Sequence, residues 1–152
     1  MLKLTKRTEY GLIALVDLAR RPGQVVSMRE IGERHPVPKR LTGEALKALA
    51  HAGVVESARG AGGGFWLTRS PEEISLGEVV AALEGAPVLT SCEDLGASHK
   101  DGSCEVEGNC PIRSPLQNIR QGIWTLMQDT SLRSLMGAAP LLPDPVPTDL
   151  TA

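Results

Sequence analysis

Residues 38–67 read PKRLTGEALKALAHAGVVESARGAGGGFWL, and the change of period inside this stretch decides the fold. Pro38 stands where a first helical residue would, and Leu41, Ala45, Ala48, Leu49 and Ala52 form one apolar stripe until Gly53 ends it. The period then drops to two. Val55, Ser57 and Arg59 alternate ahead of Gly60-Ala61-Gly62-Gly63-Gly64, and Phe65, Leu67 and Arg69 alternate behind it, the pattern of a β-hairpin with a long flexible tip. A hairpin that directly follows a helix-turn-helix is the wing of a winged helix.

The flanks supply the remaining helices. Upstream, Thr5 or Thr8 can cap a helix with an apolar face of Leu12, Leu15, Val16 and Ala19, stopped by Pro22-Gly23. Ser27 with Glu30 is a capping box for a short helix ending near His35. Downstream, Ser75 with Glu78 opens a helix bearing Leu76, Val79, Val80 and Leu83, closed by Gly85 and Pro87. Residues 86–112 keep no period and hold all three cysteines, and a loop of this length is functional or disordered. Ser114, Pro115 and Gln117 then give cap, first position and box for a longer helix. Its Leu116, Ile119, Ile123 and Leu126 are spaced three, four and three, as in a helix that packs along another helix. In a chain of 152 residues that other helix is expected to be its own copy, giving a homodimer, with intramolecular packing as the alternative. The fold class is therefore mainly α with a small β-hairpin: a winged helix-turn-helix domain over 1–85, a cysteine-containing loop over 86–112, a dimerisation helix region over 113–137 and a Pro-rich tail over 138–152.

Composition narrows the function. Charged residues make up 22% and no run approaches the ~20 apolar residues of a membrane span, so a cytoplasmic protein without membrane contact is expected. Residues 1–75 carry 12 Lys or Arg against 8 Asp or Glu, whereas residues 76–152 carry 4 against 10. The basic half can face an acidic polymer, and the acidic half would repel one. On the third helix, Arg40, Glu44 and Lys47 share a face with Gly43, and Lys39 stands at its start. Arg can read guanine bidentately, Glu can accept from cytosine N4 and Lys can neutralise phosphate, which suits a major groove. Thr42 on the same helix, Arg59 and Gly60 of the wing, and Lys6 and Arg7 ahead of the first helix complete the candidate contacts to double-stranded DNA. A phosphate-cradling nucleotide loop does not fit the glycines, because no Lys-Ser or Lys-Thr follows them.

Cys92, Cys104 and Cys110 are separated by eleven and five residues. Three thiolates on one loop suit an iron–sulfur cluster or zinc, and both normally take a fourth ligand. His99 would complete a zinc site, and a thiol switch is a further alternative. No Cys-x-x-Cys, dinucleotide fingerprint or acid–base constellation supports an enzyme.

The segment Leu4-Thr5-Lys6-Arg7-Thr8-Glu9-Tyr10-Gly11-Leu12, the wing Arg59-Gly60-Ala61-Gly62-Gly63-Gly64-Phe65, the helix start Leu76-Gly77-Glu78-Val79-Val80 and the three later cysteines together resemble the IscR/NsrR family of winged-helix regulators. The resemblance covers about residues 1–137 and implies a dimeric bacterial transcription factor, with repressor activity expected. It further implies that Cys92, Cys104 and Cys110 hold a 2Fe–2S or 4Fe–4S cluster that senses nitric oxide, redox state or iron supply. NsrR-like members add a carboxylate from the partner subunit, and the matching position is Glu9. IscR-like members use a His three residues beyond the last Cys, where this chain has Arg113. The long gap between Cys92 and Cys104 and the residues Pro38, Arg40 and Gly43 depart from the family pattern, so the operator does not carry over from a relative.

Overall fold

The structure is a computed structural model that describes residues 3–89 and 109–138. Helix α1 (Lys6–Ala19) is capped by Thr5, whose hydroxyl accepts from the Thr8 amide. Helix α2 (Met28–Arg34) starts at the full Ser27–Glu30 capping box, and α3 (Lys39–His51) follows an uncapped turn at Pro38. The wing strands β1 (Val55–Ala58) and β2 (Gly64–Leu67) pair antiparallel, with Val55 opposite Leu67 and Ala58 opposite Gly64. Then come α4 (Leu76–Glu84), α5 (Arg113–Asp129) and a last helical turn over Ser134–Ala138.

One aliphatic core joins these elements. Ala14, Leu15 and Leu18 of α1 pack with Ala45, Leu46 and Leu49 of α3, Ile31 of α2, and Val79 and Leu83 of α4. The approach of α1 to α3 depends on Gly11, where a Cβ would lie 3.1 Å from Ala45 and 3.2 Å from Leu83. The buried face of α3 is rotated from the expected stripe. Thr42 and Leu46 are buried while Ala52 is exposed, because α3 meets α1 on one side and β1 at its end. In α1, likewise, Leu12 and Val16 are only half-buried.

The wing is more tightly held than its glycines suggest. Its tip is a compact turn in which the Gly63 amide donates to the Gly60 carbonyl at 3.0 Å, with Gly60 at φ +99°. This corrects the expectation of a long flexible tip: the backbone at the turn bonds to itself. Phe65 also exchanges two backbone hydrogen bonds with Val26, of 3.0 and 2.9 Å, so the segment entering α2 adds a third strand-like edge to the hairpin. A Cβ on Gly64 would sit 2.4 Å from the Val26 carbonyl oxygen, which restricts that position to glycine.

Helix α5 leaves this core and then returns to it. It begins at Arg113 after Ile112, without a side-chain cap, so the expected cap at Ser114 is not used. None of its residues is buried. At its end the chain comes back: the Leu76 amide donates to the Thr130 carbonyl and the Leu132 amide to the Ile74 carbonyl, both at 2.7 Å, and Leu132 enters the core. Gln128 covers Gly77 and shares a 3.0 Å hydrogen bond with Ser75.

Candidate DNA interface and cluster ligands

Core packing of Ala45, Leu46 and Leu49 turns the opposite face of α3 outward. Lys39, Arg40, Glu44 and Lys47 are all exposed there, and a Cβ on Gly43 would meet nothing. Arg40 Nε donates to Glu44 Oε1 at 3.0 Å, a bond that uses one of the five N–H donors of the guanidinium. The pair is one helical turn apart on an open surface, so its effect is to orient the Arg40 side chain rather than to stabilise the helix appreciably. Arg59 and Gly60 are exposed at the wing tip.

Three candidate contacts have a different placement from the one expected. Thr42 is fully buried and its hydroxyl donates to the Pro38 carbonyl at 2.9 Å, so it braces the start of α3 and presents nothing to DNA. Arg7 donates to the Leu83 carbonyl, which fastens α1 to the end of α4. Lys6 is exposed but pairs with Glu9, whose hydrogen bond and charge hold the ammonium above its ordinary range.

Below this surface lies a charged hub. Asp17 is 2% exposed and receives Arg21 at 2.6 Å and Arg34 at 3.1 Å, and it shares a 3.2 Å hydrogen bond with His35 Nε2. It ties α1 to the end of α2 and thereby sets the angle of the helix pair. The one sequence signal for it was Arg21, four residues on, a spacing that ordinarily belongs to solvated helix faces.

Of the cluster ligands, Cys110 and Glu9 are described. Cys110 is a half-buried free thiol just ahead of α5, and its carbonyl accepts from the Arg113 amide at 3.4 Å. Glu9 stands in the first turn of α1 with a side chain 37% exposed. Cys92, Cys104 and the alternative ligand His99 lie outside the described residues. Among the described residues no three His, Cys, Asp or Glu side chains gather into a metal site, and no helix is long and apolar enough to cross a membrane.

Three helices, a hairpin wing and an exposed basic face on the third helix define a winged helix-turn-helix DNA-binding protein. Comparison with known proteins gives the particular kind. The Rrf2 family model, described as an iron-dependent transcriptional regulator, matches residues 4–138, and the chain belongs to this family. It is similar to the HTH-type transcriptional repressor NsrR of Streptomyces coelicolor, with 33% identity over 90% of each chain. It is also similar to the HTH-type regulator NsrR of Bacillus subtilis, with 30% identity over 89% of this chain and 90% of that one. Among solved structures, CymR, the global cysteine regulator of B. subtilis, superposes with TM-score 0.68 and 25% identity, covering 92% of this chain and all of that one. IscR of T. potens gives TM-score 0.64 and 27% identity over 89% and 86%. The protein is thus a transcriptional regulator that binds DNA, and not an enzyme.

Proposed function

We propose that the chain is a homodimeric repressor whose operator affinity is governed by an iron–sulfur cluster held by Cys92, Cys104 and Cys110, with Glu9 of the partner subunit as the fourth ligand. The observation that carries the reading is the outward face of Lys39, Arg40, Glu44 and Lys47 beside the exposed wing tip of Arg59 and Gly60, on a chain that belongs to a family of iron-dependent regulators. Arg40 reads a base edge, Glu44 orients it, and Lys39, Lys47 and Arg59 neutralise phosphates. The dimer is supported by α5: Ile119 and Leu126 are 53% and 45% exposed, an apolar seam left open among the described residues. Two-fold symmetry then calls for a pseudo-palindromic operator with half-sites about one helical turn, or a multiple of it, apart.

The donor set fits such a group. Cys110 is a half-buried free thiol, and among the described residues the Glu9 carboxylate pairs with a surface lysine, Lys6. Thiolates with one carboxylate suit either cluster type, and the bound group would supply iron that reacts with nitric oxide or oxidant. Glu9 sits on the DNA-binding domain, whereas Cys110 sits at the root of α5. A tie between them across the dimer would therefore relate the two recognition helices to the sensor loop.

Anaerobic purification with a visible spectrum and iron, acid-labile sulfide and zinc analysis tests the reading. A brown protein with whole-number iron and sulfide per chain supports it, and Glu9→Ala should then alter the spectrum and the nitric oxide response. A protein that stays colourless after reconstitution overturns it. That result would favour a cluster-free or zinc-binding regulator, a reading to which the likeness in fold to CymR lends some support.

A further inference from the structure

The outer face of α1 borders a cavity of about 510 Å³ that neither DNA reading nor cluster binding uses. Leu12, Val16, Val37 and Leu135 wall it and are already packed against the core. Tyr10 and Ile13 also line it and are half-buried, but they take no part in that core packing. Glu9, Ile13 and Val16 are spaced four and three, so the carboxylate proposed as a ligand heads the same helix face, about 6 Å along the axis from Ile13. The most exposed large hydrophobic side chain among the described residues is Ile112, at 58%. It is the N-cap of α5 and follows Cys110 by two residues, a span of at most about 7 Å.

We propose that Ile112 of the partner subunit docks against Tyr10 and Ile13 in this cavity, and that this apolar contact brings Cys110 of the partner subunit to Glu9 before any cluster is bound. The inference rests on the proposed pairing of Glu9 with the partner's cysteines and adds the contact that prearranges it. Three observations choose a second copy as the occupant. The separations match, since the apolar residue lies about 6 Å from the proposed ligand on α1 and at most about 7 Å from it at the root of α5. Ile112, Ile119 and Leu126 are seven apart, so the contact continues the exposed seam of α5 already assigned to the dimer. Two-fold symmetry repeats the contact, so each dimer would bury both copies of Ile112, which a single chain leaves in water. Ligands held close in this way lose less freedom when they close on a metal group.

The test uses the full-length, metal-free protein with a photoreactive benzophenone amino acid at position 112. Mixing light and heavy isotope-labelled chains lets peptide mapping separate products within a chain from products between chains. Products between chains on Tyr10–Val16 are expected. Ile13→Asp and Ile112→Asp, on opposite sides of the contact, should each raise the dimer dissociation constant measured by sedimentation at least about ten-fold, because each puts a charge into two symmetric apolar contacts. Val25→Asp, at an exposed apolar residue outside the cavity, should leave it unchanged. Products on α5 of the partner subunit, products within one chain, no products, or an unchanged constant for Ile13→Asp and Ile112→Asp would each overturn the docking. If the protein is still a dimer in those cases, the docking alone falls, whereas a protein that is monomeric throughout also removes the dimer from the proposed repressor. The cluster is read separately from the visible spectrum and iron analysis, so its failure and this one are distinct.

Discussion

Replacing Asp17 by Asn keeps the size of a buried side chain and removes the charge on which two guanidiniums and an imidazole converge. The carboxylate is 3% exposed, whereas Arg21, Arg34 and His35 are 19%, 36% and 29% exposed. Breaking a buried pair from one side costs about 3–5 kcal/mol, because the remaining charge is stranded. Arg34 and His35 are about one-third exposed and recover water. Arg21 is the group that does not, and its Nη1 is already buried without a hydrogen-bond partner. The expected loss is therefore at the low end, about 3 kcal/mol, which in a chain of this size lowers the melting temperature by about 10 °C. Thermal unfolding of wild type and Asp17→Asn at matched concentration reads this directly. The same variant frees the end of α2 from α1, so operator affinity measured well below the new melting temperature should also fall. A melting temperature within about 2 °C of wild type would refute the claim that the hub is an integral buried tie.

Gly64→Ala forces a Cβ to within 2.4 Å of the Val26 carbonyl oxygen, so one strand edge must move. The expected cost is about 1–3 kcal/mol, with faster hydrogen exchange at the Val26 and Phe65 amides, and unchanged exchange would contradict it. Arg40→Ala should cost about 1–3 kcal/mol of operator binding and relax preference at one base position. Lys47→Ala should weaken all sequences alike and reduce the salt slope by about 1, and titrations at several salt concentrations distinguish the two. Glu84 accepts the Thr5 amide at 2.7 Å across the α4–α1 junction. Burial acts to raise its carboxyl, but hydrogen bonds from Thr8 and Thr5 outweigh this and hold it below the ordinary carboxylate range. A depressed folded pKa contributes stability that is present above the unfolded value of about 4.3 and lost as pH falls through the folded value. Glu84→Gln should therefore flatten the acid limb of the denaturation midpoint below about pH 5, and an unaltered limb would show that Glu84 is not a source of it.

Much of the DNA-reading unit follows from short-range chemistry. The Ser27–Glu30 box, the glycine stops and the switch from helical to alternating period are local signals, and they set α2, α3, α4 and the wing close to where the structure has them. The outward set of Arg40, Glu44 and Lys47 was legible for the same reason, since positions three and four apart share a face in any helix. Tertiary contacts decided the rest. Whether Thr42 faced DNA or core depended on where α1 lies, and the full burial of its side chain comes from that packing. Arg7 reads as a phosphate ligand until the end of α4 presents the Leu83 carbonyl to it. Asp17 acquires its partners from Arg34 and His35, 17 and 18 residues away, and Gly64 its restriction from Val26 on another segment. A sequence specifies which faces a segment can offer, because period and caps act within a turn or two. Only the packed chain determines which face is buried, because that choice depends on surfaces brought together from distant positions.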